Sequence, residues 1–379
     1  MGALVTRPRV LWLIKGLGLG GAERLLTTMA SKVDRERFDI EVAYLLPRSD
    51  SFEADLEAAG METICLNARW TAEPGWPTRL RRLLHERNYE LIHTHSPAPA
   101  IVARVLAGSG SRFVHTEHNL WNSYHRLTYI GNAATYSRNR HVFAVSEAVR
   151  ASIDRPRWLG RRTFPAVETL HHGVDASQFR CGPAARDHAR RVLGLDTATP
   201  VIGSVASFTP QKDHAGLLSA FERVCEQIPE VQLLLVGTGP QEREVRGLVE
   251  QRGLQEHVQF CGARTDLPEL LPGFDVFVLA SRFEGLPISL LEAMASGVAS
   301  VATRVGGVPE VLRADVEGRM VAPGDPGSLA DAVVELLLDP SMRATVGLGG
   351  YERVRSEFSI DRAVRRTEEV YAHVLGGFD

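Results

Sequence analysis

The run Ser281-Arg282-Phe283-Glu284-Gly285-Leu286-Pro287-Ile288-Ser289-Leu290-Leu291-Glu292-Ala293-Met294-Ala295 carries two glutamates with seven residues between them. Gly285 and Pro287 mark a loop, and proline suits the first turn of a helix. Glu284 therefore falls in the loop and Glu292 more than one turn into the helix. Were the whole stretch helical, the two carboxylates would lie about 12 Å apart along the axis. That separation does not suit a shared proton or a shared metal. It suits a grip on two distant hydroxyl-bearing parts of one extended ligand, and a nucleotide sugar has a ribose at one end and a hexose at the other. Backbone N–H groups near Gly285–Ile288, at the helix start, would hold the phosphates between them. The plainer alternative is a capped helix with a solvated acid.

Three further groups of residues invite chemistry. Gly16-Leu17-Gly18-Leu19-Gly20-Gly21-Ala22-Glu23-Arg24 follows an apolar run and precedes a helical pattern, so its backbone can approach a phosphate closely. Gly16, Gly18 and Gly21 fit the dinucleotide spacing, but Tyr44 and Leu45 end the second apolar run where that fingerprint asks for an acid, which argues against NAD. Phe208-Thr209-Pro210-Gln211-Lys212-Asp213-His214 places a lysine just after another apolar run. Lys212 there can neutralise a diphosphate leaving group, or it is an ordinary solvated lysine. The histidines His93, His95, His115 and His118 suggest a metal, since strand alternation puts His93 and His95 on one face. No HExxH helix or carboxylate-rich loop accompanies them, so an active-site or satisfied-core role is favoured. His118 stands apart, just past a strand end. Two weaker features remain: the turn Gly306-Gly307-Val308-Pro309-Glu310, and the basic segment of Arg155, Arg157, Arg161 and Arg162 with Trp158, read as a membrane-interface patch or a solvated loop.

Short apolar runs alternate with amphipathic segments along the whole chain, as parallel sheets with crossover helices require. Candidate strands span residues 9–14, 39–45, 62–66, 91–94, 112–116, 141–145 and 169–171 in the first half. The second half repeats the rhythm at 200–206, 231–236, 258–261, 276–280 and 300–303. The expected fold class is α/β, two Rossmann-like doubly wound domains with a cleft between them. Residues 1–180 form the acceptor-side domain and 181–199 a linker region, where Gly182-Pro183, a polar helical stretch, Gly194 and Pro200 interrupt the rhythm. Residues 200–358 form the nucleotide-sugar-binding domain, and 359–379 a helix bracing the two. In such sheets ligands sit beyond the carboxyl ends of the strands, where Glu284, Lys212 and His118 all fall.

The chain has 379 residues, 44% hydrophobic and 23% charged, a composition neither fibrous nor disordered. No apolar run is long enough to span a bilayer, and the run near Val10–Ile14 is too short for a signal-peptide core. Residues 1–6 fit the loose N-myristoylation pattern, which arises often by chance. Cys65, Cys181, Cys225 and Cys261 show no zinc or redox spacing, which suits the cytoplasm. Residues 1–180 hold 24 Lys and Arg against 18 Asp and Glu, and the rest 19 against 28. The basic half could face anionic lipid or a phosphorylated acceptor, or it is merely an uneven surface.

Together these motifs resemble the retaining family-4 glycosyltransferases of GT-B fold, the glycosyl transferases group 1. The likeness rests on Glu284 and Glu292, Gly20-Gly21-Ala22-Glu23, Thr116-Glu117-His118-Asn119, Val145-Ser146, Gly173-Val174-Asp175, Pro210-Gln211-Lys212 and Gly306-Gly307-Val308-Pro309-Glu310. It implies that Glu284 binds donor-sugar hydroxyls, Glu292 the ribose, and Lys212 the diphosphate with backbone at Gly20-Gly21 and Gly285-Leu286. His118 would contact the transferred sugar, and the loop through Arg264 would approach the base. The implied reaction keeps the anomeric configuration and needs no metal or other cofactor. The implied partners are a nucleotide-sugar donor and a glycan, lipid-linked or small-molecule acceptor, with peripheral contact at the inner membrane face and no nucleic acid. Three positions depart from the family pattern: Ser207 replaces an arginine that shares the diphosphate, His172 an asparagine, and Ala299 a proline. Arg24, Arg264 and Arg304 are candidates to replace the missing cation. Rival readings are a degenerate binding protein without turnover, a nucleotide-sugar epimerase, and an NAD-linked oxidoreductase.

Overall fold

The computed structural model describes residues 7–108, 110–154, 156 and 164–376. The myristoylation-like pattern at residues 1–6 and the basic residues Arg155, Arg157, Arg161 and Arg162 with Trp158 lie outside the described residues. The chain divides into two compact units, Met1–His172 with Ile360–Asp379, and Gly173–Ser359.

The first unit is built on a seven-stranded parallel sheet of β1 (Arg9–Gly16), β2 (Asp39–Leu46), β3 (Glu62–Cys65), β4 (Leu91–Thr94), β5 (Arg112–Glu117), β6 (Asn139–Ala144) and β7 (Val167–Thr169). Its order is β3-β2-β1-β4-β5-β6-β7. The central strands β1 and β4 are near-continuous buried runs, as a sheet covered on both faces requires. The chain reverses its direction of travel at the β1/β4 neighbours, which makes their carboxyl ends the switch point where α/β sheets place ligands.

The helix Ile360–Leu375 belongs to this unit. Its buried face of Ile360, Val364, Val370, Tyr371 and Leu375 joins the core of Trp12, Ile14, Leu26 and Val114. Tyr371 also ties it polarly. Trp12 Nε1 donates to the Tyr371 hydroxyl at 2.8 Å, and that hydroxyl meets His93 Nδ1 at 2.5 Å. Replacing Tyr371 by phenylalanine orphans both partners in the interior, at about 1–3 kcal/mol for each. The expected result is a lower urea midpoint at unchanged slope; an unmoved midpoint would show that the helix is held by packing alone.

The second unit carries a six-stranded parallel sheet of β8 (Val201–Val205), β9 (Gln232–Val236), β10 (Val258–Gly262), β11 (Val276–Leu279), β12 (Ala299–Thr303) and β13 (Gly318–Val321). The order β10-β9-β8-β11-β12-β13 puts its switch point between β8 and β11. Strand β13 is absent from the sequence expectation, because Gly318-Arg319-Met320-Val321 is a short edge strand without a clear apolar run. The residues read as a linker, 181–199, contain the helix Pro183–Leu193 of this unit. Gly182-Pro183 starts that helix and Gly194, at φ 68°, ends it, so the punctuation marks helix ends. Arg190 fastens the helix to the sheet, donating to Asp275 Oδ2 at 2.6 Å.

Candidate active site

In the second unit, the loops after β8 and β11 meet at the switch point. A 3-10 turn, Pro210–Lys212, presents Lys212. Asp213 follows in the left-handed region, φ 47°, and caps the helix His214–Gln227 by accepting from Gly216 N. Lys212 Nζ lies 2.5 Å from Glu284 Oε1, and Ser281 Oγ donates to the same oxygen at 2.6 Å. Glu284 is only 4% exposed. The loops are laced by Gln211 Nε2 donating to Phe283 O at 2.9 Å, Arg282 N to Gln211 O at 2.8 Å, and Arg282 Nη2 to Asp213 Oδ1 at 3.1 Å. Ser281 is itself held, since Thr303 Oγ1 at the end of β12 donates to its carbonyl at 2.5 Å.

The turn Gly306-Gly307 supports Glu284 from below. Gly306 has φ 49°, and a Cβ there would sit 1.8 Å from the Glu284 carbonyl oxygen. Only glycine permits this approach. Glu292 lies within the helix Ile288–Ala295 and is 3% exposed. Pro287 caps that helix without a side-chain hydrogen bond, and Gly285 and Leu286 lie just before it.

The three arginines expected to stand in for a cation at exposed Ser207 lie in different surroundings. Arg264 forms a two-pronged pair with Asp266, Nε–Oδ1 at 2.8 Å and Nη2–Oδ2 at 2.5 Å. Arg24 belongs to the first unit, with its guanidinium 5.1 Å from the Phe52 ring centroid. Arg304 is exposed at the end of β12, on the same sheet edge as Lys212 and Glu284.

In the first unit, the glycine-rich turn ends at Gly20, the N-cap of the helix Gly21–Ala30, which lacks a side-chain cap. Gly20 N donates to Gly18 O at 2.7 Å, and Phe52 N to Leu17 O at 2.8 Å, which fixes the turn. Burial raises the Glu23 carboxyl to about 7.

The histidines gather around the ends of β4 and β5. His93 and His95 share a face as alternation predicts, with ring centroids 4.1 Å apart. The His118 ring is 5.6 Å from that of His95 and 6.0 Å from that of His172. Burial holds His93, His95 and His118 well below the usual imidazole range, and His172 at about 4. The rings are therefore neutral hydrogen-bonding groups near pH 7. Among the described residues, no group of three or more His, Cys, Asp or Glu is arranged to hold a metal ion. Beside His118, Glu117 is fully buried and accepts from Trp121 Nε1 at 2.9 Å, Tyr124 Oη at 2.6 Å and Asn132 Nδ2 at 2.9 Å. Burial alone would raise its carboxyl, but His115 and these donors bring it to about 2.

Sequence reasoning missed Ser281, Gln211 and Glu117 as supporting groups. Each lay inside or beside a motif already singled out, but nothing in the spacing shows which neighbour of a glutamate or histidine turns inward.

Residues 185–353 match the family model of glycosyl transferases group 1, and residues 19–178 that of glycosyltransferase family 4. The chain is 25% identical over 309 residues to the N-acetyl-alpha-D-glucosaminyl L-malate synthase of Bacillus anthracis, spanning 79% of this chain and 78% of that protein. It is 29% identical over 330 residues to the GDP-mannose-dependent alpha-(1-6)-phosphatidylinositol monomannoside mannosyltransferase of Mycobacterium tuberculosis, spanning 83% of this chain and 84% of that protein. Among solved structures it resembles Anabaena HepE in complex with UDP and glucose, at TM-score 0.84 and 21% identity, over 97% of this chain and all of that one.

Proposed function

The chain belongs to the glycosyltransferases of family 4 and group 1, with two Rossmann-like units of GT-B type, and from that premise we propose that it transfers a hexose or related sugar from a UDP- or GDP-sugar to a glycan, lipid-linked or small-molecule acceptor with retention of anomeric configuration. The observation that carries this reading is the Lys212–Glu284 pair, joined at the switch point of the second unit with Glu292 buried in the next helix. In the reaction the bond from the anomeric carbon to the diphosphate breaks as the acceptor oxygen bonds that carbon. The acceptor's proton passes to the leaving phosphate. Charge grows on the diphosphate, and Lys212 is the cation placed to meet it. Glu284 binds sugar hydroxyls, Glu292 binds the ribose, and Arg264 belongs to the loop that meets the base. The backbone at Gly20-Gly21 and Gly285-Leu286 binds phosphate. Arg304 supplies the cation that Ser207 does not. His118 meets the transferred sugar.

The named donors of similar proteins support the choice of nucleotide: the mycobacterial relative uses GDP-mannose, and the HepE structure holds UDP with glucose. No helix of the described residues is long and apolar enough to cross a membrane. We place the enzyme in the cytoplasm, in polysaccharide or glycolipid synthesis, meeting lipid-linked acceptors at the inner membrane face. The test is a thermal-shift screen of UDP, GDP and ADP with their sugars. At 100 times its dissociation constant the true donor stabilises the fold by about 2.7 kcal/mol. A shift without turnover would favour the binding-protein reading, prompted by Ser207, and no shift with any nucleotide would overturn the proposal.

A further inference from the structure

The imidazoles of the first unit have readable hydrogen-bond directions, because each neutral ring carries one N–H and one lone pair. A carbonyl oxygen only accepts, so His172 donates from Nδ1 to Leu170 O at 2.9 Å and keeps its lone pair on Nε2. Trp12 Nε1 only donates, so the Tyr371 hydroxyl accepts from it and turns its own O–H to His93 Nδ1 as a hydrogen-bond donor. His93 then donates from Nε2 to Thr116 Oγ1 at 2.8 Å. His115 Nε2 lies 3.2 Å from a Glu117 carboxylate oxygen, and His115 Nδ1 lies 2.6 Å from Thr94 Oγ1.

One pair is left to assign. His95 Nδ1 lies 3.4 Å from His118 Nε2, and His95 Nε2 is buried with no partner. If His118 donated, His95 would carry its proton on Nε2, an orphaned N–H in the interior. If His95 donates, only a lone pair goes unmatched. Buried orphan N–H groups are the rarer of the two. We propose that His95 is a positioning residue whose Nδ1–H fixes His118 with its own proton on Nδ1, so that His118 meets its ligand as a hydrogen-bond donor and not as a base. The ligand atom it suits is an oxygen lone pair, as on a sugar hydroxyl or a phosphoryl group. The His118 ring is the half-buried member of the four-ring set His93, His95, His118 and His172, and among the described residues its Nδ1 has no protein partner. The ligand's identity as part of an activated sugar rests on the function proposed above; the tautomer does not.

Two measurements on the full chain separate these. Nitrogen-15 NMR of histidine-labelled protein at neutral pH, with the signal assigned by its loss in His118→Asn, should show a protonated Nδ1 and an unprotonated Nε2 on His118. His95→Leu should convert that signal to a mixture of tautomers. A protonated Nε2 in the parent protein, or an unchanged signal in His95→Leu, overturns the proposal even if the protein transfers no sugar. In transfer assays, the asparagine amide nitrogen stands near Nδ1 and the glutamine amide nitrogen near Nε2. His118→Asn should therefore keep kcat within about tenfold, while His118→Gln should lose about a hundredfold, as for one misplaced donor. The reverse order would overturn the donor role.

Discussion

Lys212→Ala is expected to lower kcat by about two to three powers of ten while the second unit stays folded. A preorganised donor aimed at growing negative charge is worth about 3–4 kcal/mol in the transition state, and each 1.36 kcal/mol is about tenfold in rate. Lys212 also partners a buried carboxylate, so its loss leaves Glu284 Oε1 with Ser281 alone. That costs about 1–3 kcal/mol of stability. Glu284→Gln makes the complementary case. It keeps the shape, frees Lys212 from its ion pair, and weakens the grip on the sugar hydroxyls. Its loss should therefore appear in both kcat and donor KM, whereas Lys212→Ala acts mainly on kcat. Initial rates across a range of donor concentrations, with circular dichroism to confirm folding, decide this. A Lys212→Ala enzyme within fivefold of the parent would remove the lysine from the leaving-group role.

The second large effect is acid sensitivity of the first unit. Histidine titrates near 6.5 when exposed, and burial depresses His93, His95 and His118 well below that and His172 to about 4. A depressed folded-state value means that, below about pH 6.5, the unfolded chain binds protons that the folded chain refuses. The stabilisation is complete above about pH 6.5 and is lost as pH falls from there, and for His172 that window closes at about 4. Each ring contributes about 1.4 kcal/mol per pH unit within that window. The carboxylates Glu117 and Glu168, held below the usual carboxylate range beside His115 and His141, stay charged in both states down to about pH 4.5 and add to the loss only below it, where the unfolded chain's carboxylates protonate first. Unfolding free energies from denaturant titrations at pH 7.5 and 5.0 should differ by several kcal/mol. Replacing His172 by asparagine should reduce that difference. A flat profile would mean that the rings are already protonated in the folded state.

Much of this was legible in the sequence. Buried parallel strands are near-continuous apolar runs, so β1, β2, β9 and β11 stand out by their residues alone. The loop position of Glu284 and the helical position of Glu292 followed from Gly285 and Pro287. Other features were not legible. Strand β13 is held by its neighbour β12 more than by its own residues. The polar helical stretch after Gly182-Pro183 read as part of a linker, and only the buried Arg190–Asp275 pair ties that helix to the second unit. The Lys212–Glu284 contact joins residues 72 positions apart, so local spacing does not reveal it. The histidine directions depend on Tyr371, which lies 278 positions from His93.

The most direct measurement is nucleoside diphosphate release from a panel of UDP-, GDP- and ADP-sugars, with NMR reading the anomer of each sugar product before it equilibrates. The parent protein should cleave at least one donor and yield the donor's own anomer, and Lys212→Ala and Glu284→Gln should each slow that release about a hundredfold or more. A folded parent that cleaves none, an inverted product, or variants as fast as the parent would contradict the assignment of the Lys212–Glu284 site to activated-sugar transfer.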